Sequence, residues 1–286
     1  MSIQFFRNVD VSQFLSFNEE HLLQNESLNN LILGLSDSIK KNFLDCKDPL
    51  FVSLLKDNSV VGQAIRTDPD RPLAITEMVD EVLACLVTNL AKDDVKLAGV
   101  TGPKNSCLRF ANEWAKISGM LSQLVMHQGI YELADVKEPS YDNGKLTTAT
   151  ADRRGIAERY ILGFFNDCFP DEKDPVARCK EIVERRLENG SMYFWENSEG
   201  EIVSTASKSR ESKHAATISL VYTPKEQRGK GYASRLVAQL SKNLLQEGRK
   251  RCNLFTDLNN STSNSIYQKI GYKFLGESVL VNFCKP

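Results

Sequence analysis

Apolar residues alternate with polar ones in two places along this chain, each time as a pair of short runs about a turn. Leu50 to Leu55 and Val60 to Ile65 flank Asp57–Ser59, and Met192 to Trp195 and Ile202 to Ala206 flank Asn197 to Gly200. Period-two alternation on both sides of a turn predicts a β-hairpin. Each hairpin precedes a further strand, Leu73 to Thr76 and Thr217 to Tyr222. The spacing then becomes helical, through Val79, Leu83, Leu86, Val87 and Leu90 in the first half and Ala233, Leu236, Val237, Leu240 and Leu244 in the second. A strand (Lys96 to Thr101; Asn253 to Thr256) and a short helix follow in both. The short helices end alike, Trp114–Ala115–Lys116–Ile117–Ser118–Gly119 against Tyr267–Gln268–Lys269–Ile270–Gly271.

This order predicts a duplicated α/β unit with mixed sheets. Pro139, Ser140, Asn143 and Gly144 crowd residues 138–145, which places a linker there and divides the chain into 1–138 and 145–286. The second unit opens with two helices. Ile156, Tyr160 and Phe164, with Ala157, Ile161 and Phe165, mark one; the other starts with Asp174 as N-cap and Pro175 at N1 and ends by Gly190.

Composition narrows the class. With 286 residues and 41% hydrophobic content, two domains of about 140 residues are expected. Lys+Arg (36) nearly balances Asp+Glu (37), so nothing marks a nucleic-acid or membrane partner. No signal peptide and no apolar run near roughly 18 residues is seen, which predicts a soluble, cytoplasmic protein. The seven scattered cysteines and three distant histidines offer no metal-ligand spacing, and the thiols are expected to be buried and reduced. Arg249–Lys250–Arg251 reads as a solvated turn.

Candidate chemistry concentrates after the second-half strand. Val221–Tyr222–Thr223–Pro224 ends it, and Arg228–Gly229–Lys230–Gly231–Tyr232–Ala233 leads into the helix. A loop bearing Gly229 and Gly231 before a helix leaves unpartnered N–H groups and positive dipole charge facing one way, a place for an anion such as a pyrophosphate. The first half has Glu77–Met78–Val79–Asp80–Glu81–Val82 there, without glycine and with three carboxylates, which would repel one. The segment lacks G-x-x-x-x-G-K-S/T, and Ser234 stands where G-x-G-x-x-G needs its last glycine, which argues against a nucleotide site.

Arg228 to Ala233 spells R-x-x-G-x-A, and Asn260 to Tyr272 matches N-x-x-S/A-x-x-x-Y-x-x-x-G-F/Y. In this order the two motifs resemble the GNAT superfamily of N-acetyltransferases, over roughly residues 145 to 286. The resemblance implies an α/β (α+β) fold of two tandem domains, each a mixed, mostly antiparallel sheet flanked by helices, the first degenerate. It implies acetyl-CoA as acyl donor, no metal, and a small-molecule or peptide amine as acceptor, received beside the two opening helices of the second domain. The N–H groups from Arg228 through Gly229, Lys230, Gly231, Tyr232 and Ala233 to Ser234 would hold the pyrophosphate, with Lys230 also a candidate for the 3′-phosphate. Val221 would present a main-chain N–H to the thioester, Tyr222 and Thr223 would line the pantetheine arm, and Asn260, Ser263 and Tyr267 would complete the cofactor site.

Tyr267 matches the family's general acid; the other reading of it is packing against the cofactor. A lysine-like amine of pKa about 10.4 must lose a proton before attack, and Asp257 and Glu196 are the candidate acceptors, with surface or capping roles as the alternative for both. The implied activity is N-acetyl transfer by direct attack on the thioester. The rival is a non-catalytic acyl-CoA-binding or regulatory module.

Overall fold

Both hairpins form where alternation places them. The structure, a computed structural model, describes residues 2–139 and 144–286. The first half runs β1 (Gln4–Asn8), α1 (Val11–Gln24), α2 (Asn30–Lys40), β2 (Leu50–Lys56), β3 (Ser59–Arg66), β4 (Leu73–Ile75), α3 (Asp80–Lys92), β5 (Gly99–Pro103), α4 (Lys104–Ser118) and β6 (Leu121–Leu133). The second runs β7 (Lys145–Thr148), α5 (Arg154–Cys168), α6 (Pro175–Glu188), β8 (Met192–Glu196), β9 (Ile202–Glu211), β10 (Ala215–Tyr222), α7 (Tyr232–Gln246), β11 (Arg251–Asp257), α8 (Ser261–Ile270) and β12 (Lys273–Cys284). The linker expected at 138–145 lies partly outside the described residues.

Local chemistry accounts for the helix ends. Asp174 Oδ1 accepts from the Ala177 N–H at 3.0 Å, with Pro175 at the first helical position, so α6 starts as its cap dictates. Asn260 Oδ1 accepts from Ser263 N–H at 3.0 Å to open α8, and Gly271 closes it in the left-handed region at φ 112°. β5 starts at Gly99, three residues after the pattern's Lys96, because its pairing with Asn282 of β12 begins there.

All twelve strands join one sheet in the order β1-β2-β3-β4-β5-β12-β6-β11-β10-β9-β8-β7. The halves exchange their last strands: β12 pairs antiparallel with β5 of the first half, and β6 pairs antiparallel with β11 of the second. β6 and β12 also pair with each other along their whole length. Gln128 faces both Asp257 and Ser278, while Ser278 faces both Pro103 and Gln128. Gln128 and Ser278 therefore occupy equivalent places about a pseudo-two-fold axis through the centre of the sheet.

The core divides by sheet face. α3 and α4 pack Leu86, Leu90 and Phe110 on Leu54, Val100 and Val281, while α7 and α8 pack Leu236, Leu240 and Ile270 on Ile218, Leu254 and Tyr131. On the other face α1 and α2 cover Phe51 and Ile65, and α5 and α6 cover Met192 and Phe194. The loop between α1 and α2 ties the halves together there. Buried Glu26 accepts from Ser212 Oγ (2.6 Å) and the His214 N–H (2.7 Å), and Ser27 donates to Glu132. Arg210 fits against Gly34 of α2, where a Cβ would lie 2.7 Å from its side chain.

Three cysteines (107, 179, 252) are buried as expected, but Cys168 and Cys284 are exposed because they end α5 and β12 at the surface. The Arg249–Lys250–Arg251 turn is less solvated than its composition suggests. Arg249 donates to Glu211 at 2.6 Å and Arg251 to Glu132 at 3.0 Å.

Candidate active site

β10 and β11 run parallel and paired from Ala215–Arg251 to Ile218–Leu254, and there the ladder between them stops. β10 stays on β9, with Ser219 opposite Ser207 and Tyr222 opposite Thr205; β11 stays on β6 as far as Asp257 opposite Gln128. The sheet thus splits into a wedge between the C-terminal ends of its two parallel strands. A β-bulge drives the split. Leu220 sits at φ 53°, a left-handed conformation that costs a branched side chain energy, and Val221 has no partner in the β9 register. Ser204 of β9 supports the end of β10, donating to the Tyr222 carbonyl at 3.0 Å and sharing a hydrogen bond with Thr223 Oγ1 at 2.9 Å.

Past Pro224 a single 3₁₀ turn, Lys225–Gln227, carries the chain to Arg228. Gly229 and Gly231 both adopt φ 80°, and Gly231 is the N-cap of α7 with no side-chain cap. The N–H groups of Gly229, Lys230, Gly231, Tyr232, Ala233 and Ser234 donate to no acceptor among the described residues. They form the start of a 15-residue helix, where its dipole favours an anion. A Cβ on Gly229 would meet nothing within 4 Å, and one on Gly231 only the Arg235 guanidinium from 3.6 Å outward. Open space in front of free amides, edged by Lys230 and Arg235, fits a diphosphate. Arg228 is held apart from it: Nε donates to the Thr223 carbonyl at 2.9 Å, another guanidinium nitrogen pairs with Asp167 of α5, and the group lies over the Tyr222 ring.

Tyr267 lies on α8 and is 7% exposed, its ring edge-on to Tyr272 at 6.0 Å. Its hydroxyl makes no hydrogen bond to any described residue and is not among the fully enclosed polar atoms. Burial, then the nearby Cys168 thiol, pushes its pKa well above the usual tyrosine value, so the hydroxyl stays protonated and able to donate. Burial, then Asp167 and Asp257, also pushes up the Cys168 thiol at the end of α5. Arg228, Asp167, Cys168, Asp257 and Tyr267 are therefore close enough to feel one another in turn around the wedge mouth.

Other expected site residues are engaged locally. Asp257 is exposed and its Oδ1 accepts from the Asn259 N–H at 2.8 Å. Asn260 and the Ser263 N–H are joined in the cap of α8. Tyr222 turns its ring toward α5, edge-on to Tyr160, with its hydroxyl against Gly163. Glu196 is occupied at the β7 edge by Thr147 (3.2 Å) and Lys145 (3.3 Å). Sequence reasoning missed Ser204, Gly163, Asp167 and Cys168. Buried Ser204 inside an apolar strand and Gly163 inside a helix pattern were the available signals; Asp167 and Cys168 gave none.

The equivalent place in the first half is closed. By register Ile75 and Thr76 stand where Leu220 and Val221 do, but β4 has no bulge: Thr76 N–H donates to the Gln63 carbonyl at 3.1 Å, and the Gln63 N–H to Thr76 Oγ1 at 3.0 Å. The Ile75 carbonyl lies so near Gly102 that a Cβ there would collide with it. At the start of α3, Glu77, Asp80 and Glu81 put negative charge where an anion would have to sit. Met78 N–H donates to Ser106 Oγ at 2.9 Å, and Arg109 sits among Glu77, Asp80 and the Met78 carbonyl. Among the described residues no group of three His, Cys, Asp or Glu could hold a metal, and no helix is long and apolar enough to cross a membrane.

Comparison with known proteins bears on the fold. The family model described as FR47-like protein matches residues 199–281, the stretch from the second hairpin through β12. No curated protein sequence matches the chain. A solved Drosophila protein superposes with a TM-score of 0.66 at 12% identity, covering 98% of both chains. A GCN5-related N-acetyltransferase from Sphaerobacter thermophilus gives 0.60 at 13% identity, over 99% of this chain and 96% of its own. A tandem GNAT protein from the clavulanic acid biosynthesis pathway gives 0.53 at 10% identity, over 99% and 98%. At such identities the likeness is one of fold. A bulged, split sheet in the second half and a closed copy in the first accordingly belong to one architecture: the chain has the tandem GNAT fold, with an FR47-like domain toward its C-terminus.

Proposed function

We propose that the chain is an acetyl-CoA-dependent N-acetyltransferase, with residues 145–286 as the catalytic unit and 1–138 as a partner that has lost the cofactor site. One observation carries this reading. The β10–β11 wedge opens beside a glycine-bearing helix N-terminus whose amides are free, whereas in the first half β4 has no bulge and the start of α3 carries Glu77, Asp80 and Glu81 instead of glycine. Acetyl-CoA would supply an activated acyl group on a thiol leaving group. Amides from Gly229 to Ser234 hold its diphosphate, while the Arg228 N–H, expected to join them, is spent on the Lys225 carbonyl; Lys230 meets the 3′-phosphate. The main chain at Tyr222 and Thr223 guides the pantetheine arm into the wedge, with Asn260 and Ser263 at its far side.

In this reading the Val221 N–H, at the bulge and without a partner in the β9 register, donates to the thioester oxygen and stabilises the charge that grows there. Tyr267, protonated at every physiological pH, gives its proton to the departing thiolate. The acceptor amine loses its own proton to water at the mouth, beside Asp257. A thiol of pKa about 8.5 leaves fairly well without help, so Tyr267 speeds the reaction rather than enabling it.

The test is a panel of primary amines incubated with acetyl-CoA and the full-length protein, following thiol release. Release that depends on an amine supports the reading. Coenzyme A binding with no release for any amine would instead make the protein a non-catalytic acyl-CoA-binding module.

A further inference from the structure

The wall beside the wedge comes from the other half of the chain. β6 pairs with β11 only from Leu133 to Gln128, and only the Leu258 N–H, which donates to the His127 carbonyl at 3.2 Å, continues beyond. From Leu121 to Met126 its one neighbour among the described residues is β12, so no described strand lies beside its other edge. This edge rises past the point where β11 ends at Asp257, at the mouth of the wedge. Three of its side chains are apolar and exposed, Leu121 at 56%, Leu124 at 51% and Val125 at 49%, beside exposed Ser122 and Gln123. Val125 is also a bulge residue, lying between Leu124 and Met126 without a partner on β12.

We infer that the acceptor amine is the free amino terminus of an extended peptide, which adds to the Leu121–Met126 edge as one further strand; this rests on the acyltransferase reading above. Unpaired strand edges recruit extended chains through main-chain hydrogen bonds, with alternate side chains giving specificity. The vacant lane above β11 is bounded by β6 on one side and by the residues leaving β10 on the other, because β11 is the strand between them. A single extended chain can add to one strand edge, whereas a second folded copy would bring a whole sheet. A small amine would leave the apolar edge uncovered.

Proton chemistry favours the same acceptor. Asp257 is exposed and spends an oxygen on the turn, and Glu196 is occupied at the β7 edge, so neither candidate carboxylate is a buried base waiting to take a proton. An α-amino group of pKa about 7.7–8.0 is neutral in roughly one molecule in ten at pH 7, whereas a lysine-type amine is neutral in about one in 2,500. In the transfer the new C–N bond forms as the C–S bond breaks. The amine's proton passes to water, and the thiolate takes the Tyr267 proton.

The test compares an unmodified hexapeptide library with free amino termini, the same library N-methylated on its backbone, and spermidine, each with acetyl-CoA and the full-length protein. The expected result is at least a tenfold higher kcat/KM for the unmodified library than for either alternative. Amide hydrogen exchange should slow at residues 121–126 when the library and coenzyme A are both present. Val125→Pro, and separately Leu124→Arg at an exposed position, should lower peptide kcat/KM about tenfold while leaving coenzyme A affinity unchanged. Spermidine as the better substrate, equal use of the N-methylated library, or a protein found to be a dimer paired through this edge would overturn the inference while leaving acyl transfer intact. Failure to bind coenzyme A at all would instead remove the reading beneath it.

Discussion

Tyr267 has a mostly buried ring and a hydroxyl that is reachable from outside and has no hydrogen-bond partner among the described residues, so it is available to a bound group. Tyr267→Phe should therefore leave coenzyme A affinity in place and lower kcat by roughly 10²-fold, the low end of general acid contributions; titration calorimetry with steady-state rates checks both. An unchanged kcat would reduce Tyr267 to packing. Gly231→Val should lower coenzyme A affinity more than tenfold. A branched side chain is strained at φ 80° and would fill the space before the free amides, yet its Cβ has only the Arg235 side chain near it among the described residues, so a far-UV spectrum should stay native. The buried thiols and phenols also set a limit in alkali. Burial pushes Cys252 up to about 12 and raises Tyr267 and Tyr272 beyond the ordinary tyrosine range. Raised folded values mean that the unfolded chain ionises first. Their contribution is thus intact below about pH 9 and lost progressively as pH climbs from there to about 12. Denaturant midpoints measured from pH 7 to 11 should fall above pH 9.

Among the elements, α5 ties the end of β10 to the loop before α7. Its Asp167 holds Arg228, and its Gly163 receives the Tyr222 hydroxyl, so the end of β10 rests on this helix. Gly163→Ala should push Tyr222 away, shift the wedge, and reduce kcat/KM severalfold with a fall in Tm of a few degrees, whereas Gly155→Ala on the same helix, where a Cβ meets nothing, should change neither. Differential scanning calorimetry with rate measurements separates the two. The periodicity of Ala233 to Leu244 and the glycines before it were enough to read α7 and its loop, because a cap and an amphipathic stripe are local properties. Asn260 and Gly271 delimited α8 for the same reason. The pairing of Asp167 with Arg228 and the support from Ser204 joined residues far apart in the chain, and no local pattern encodes such contacts. β6 and β12 escaped assignment altogether. Their exposed ends blur the alternation, and a strand reads the same whichever neighbour it finds.

For the whole molecule, the exchange of β6 and β12 means that neither half has a complete sheet of its own. A chain of residues 1–138 alone would lack β12 and leave β5 with a bare edge, so it should be unfolded or aggregated when expressed by itself. Co-expression with 144–286 should restore a soluble complex. The intact protein should unfold in one transition, with tryptophan emission and far-UV circular dichroism coinciding, because Trp114 and Trp195 lie in cores joined by the shared strands. Two separated transitions would show that the halves are autonomous. The sharing also gives the closed first half a role, since it contributes the strand that walls the open site of the second. Most direct of all would be a crystal structure with coenzyme A bound. The expected density places the diphosphate on the amides between Arg228 and Ser234, with the thiol in the β10–β11 wedge near Tyr267; density before α3 in the first half, or anywhere outside that wedge, would contradict it.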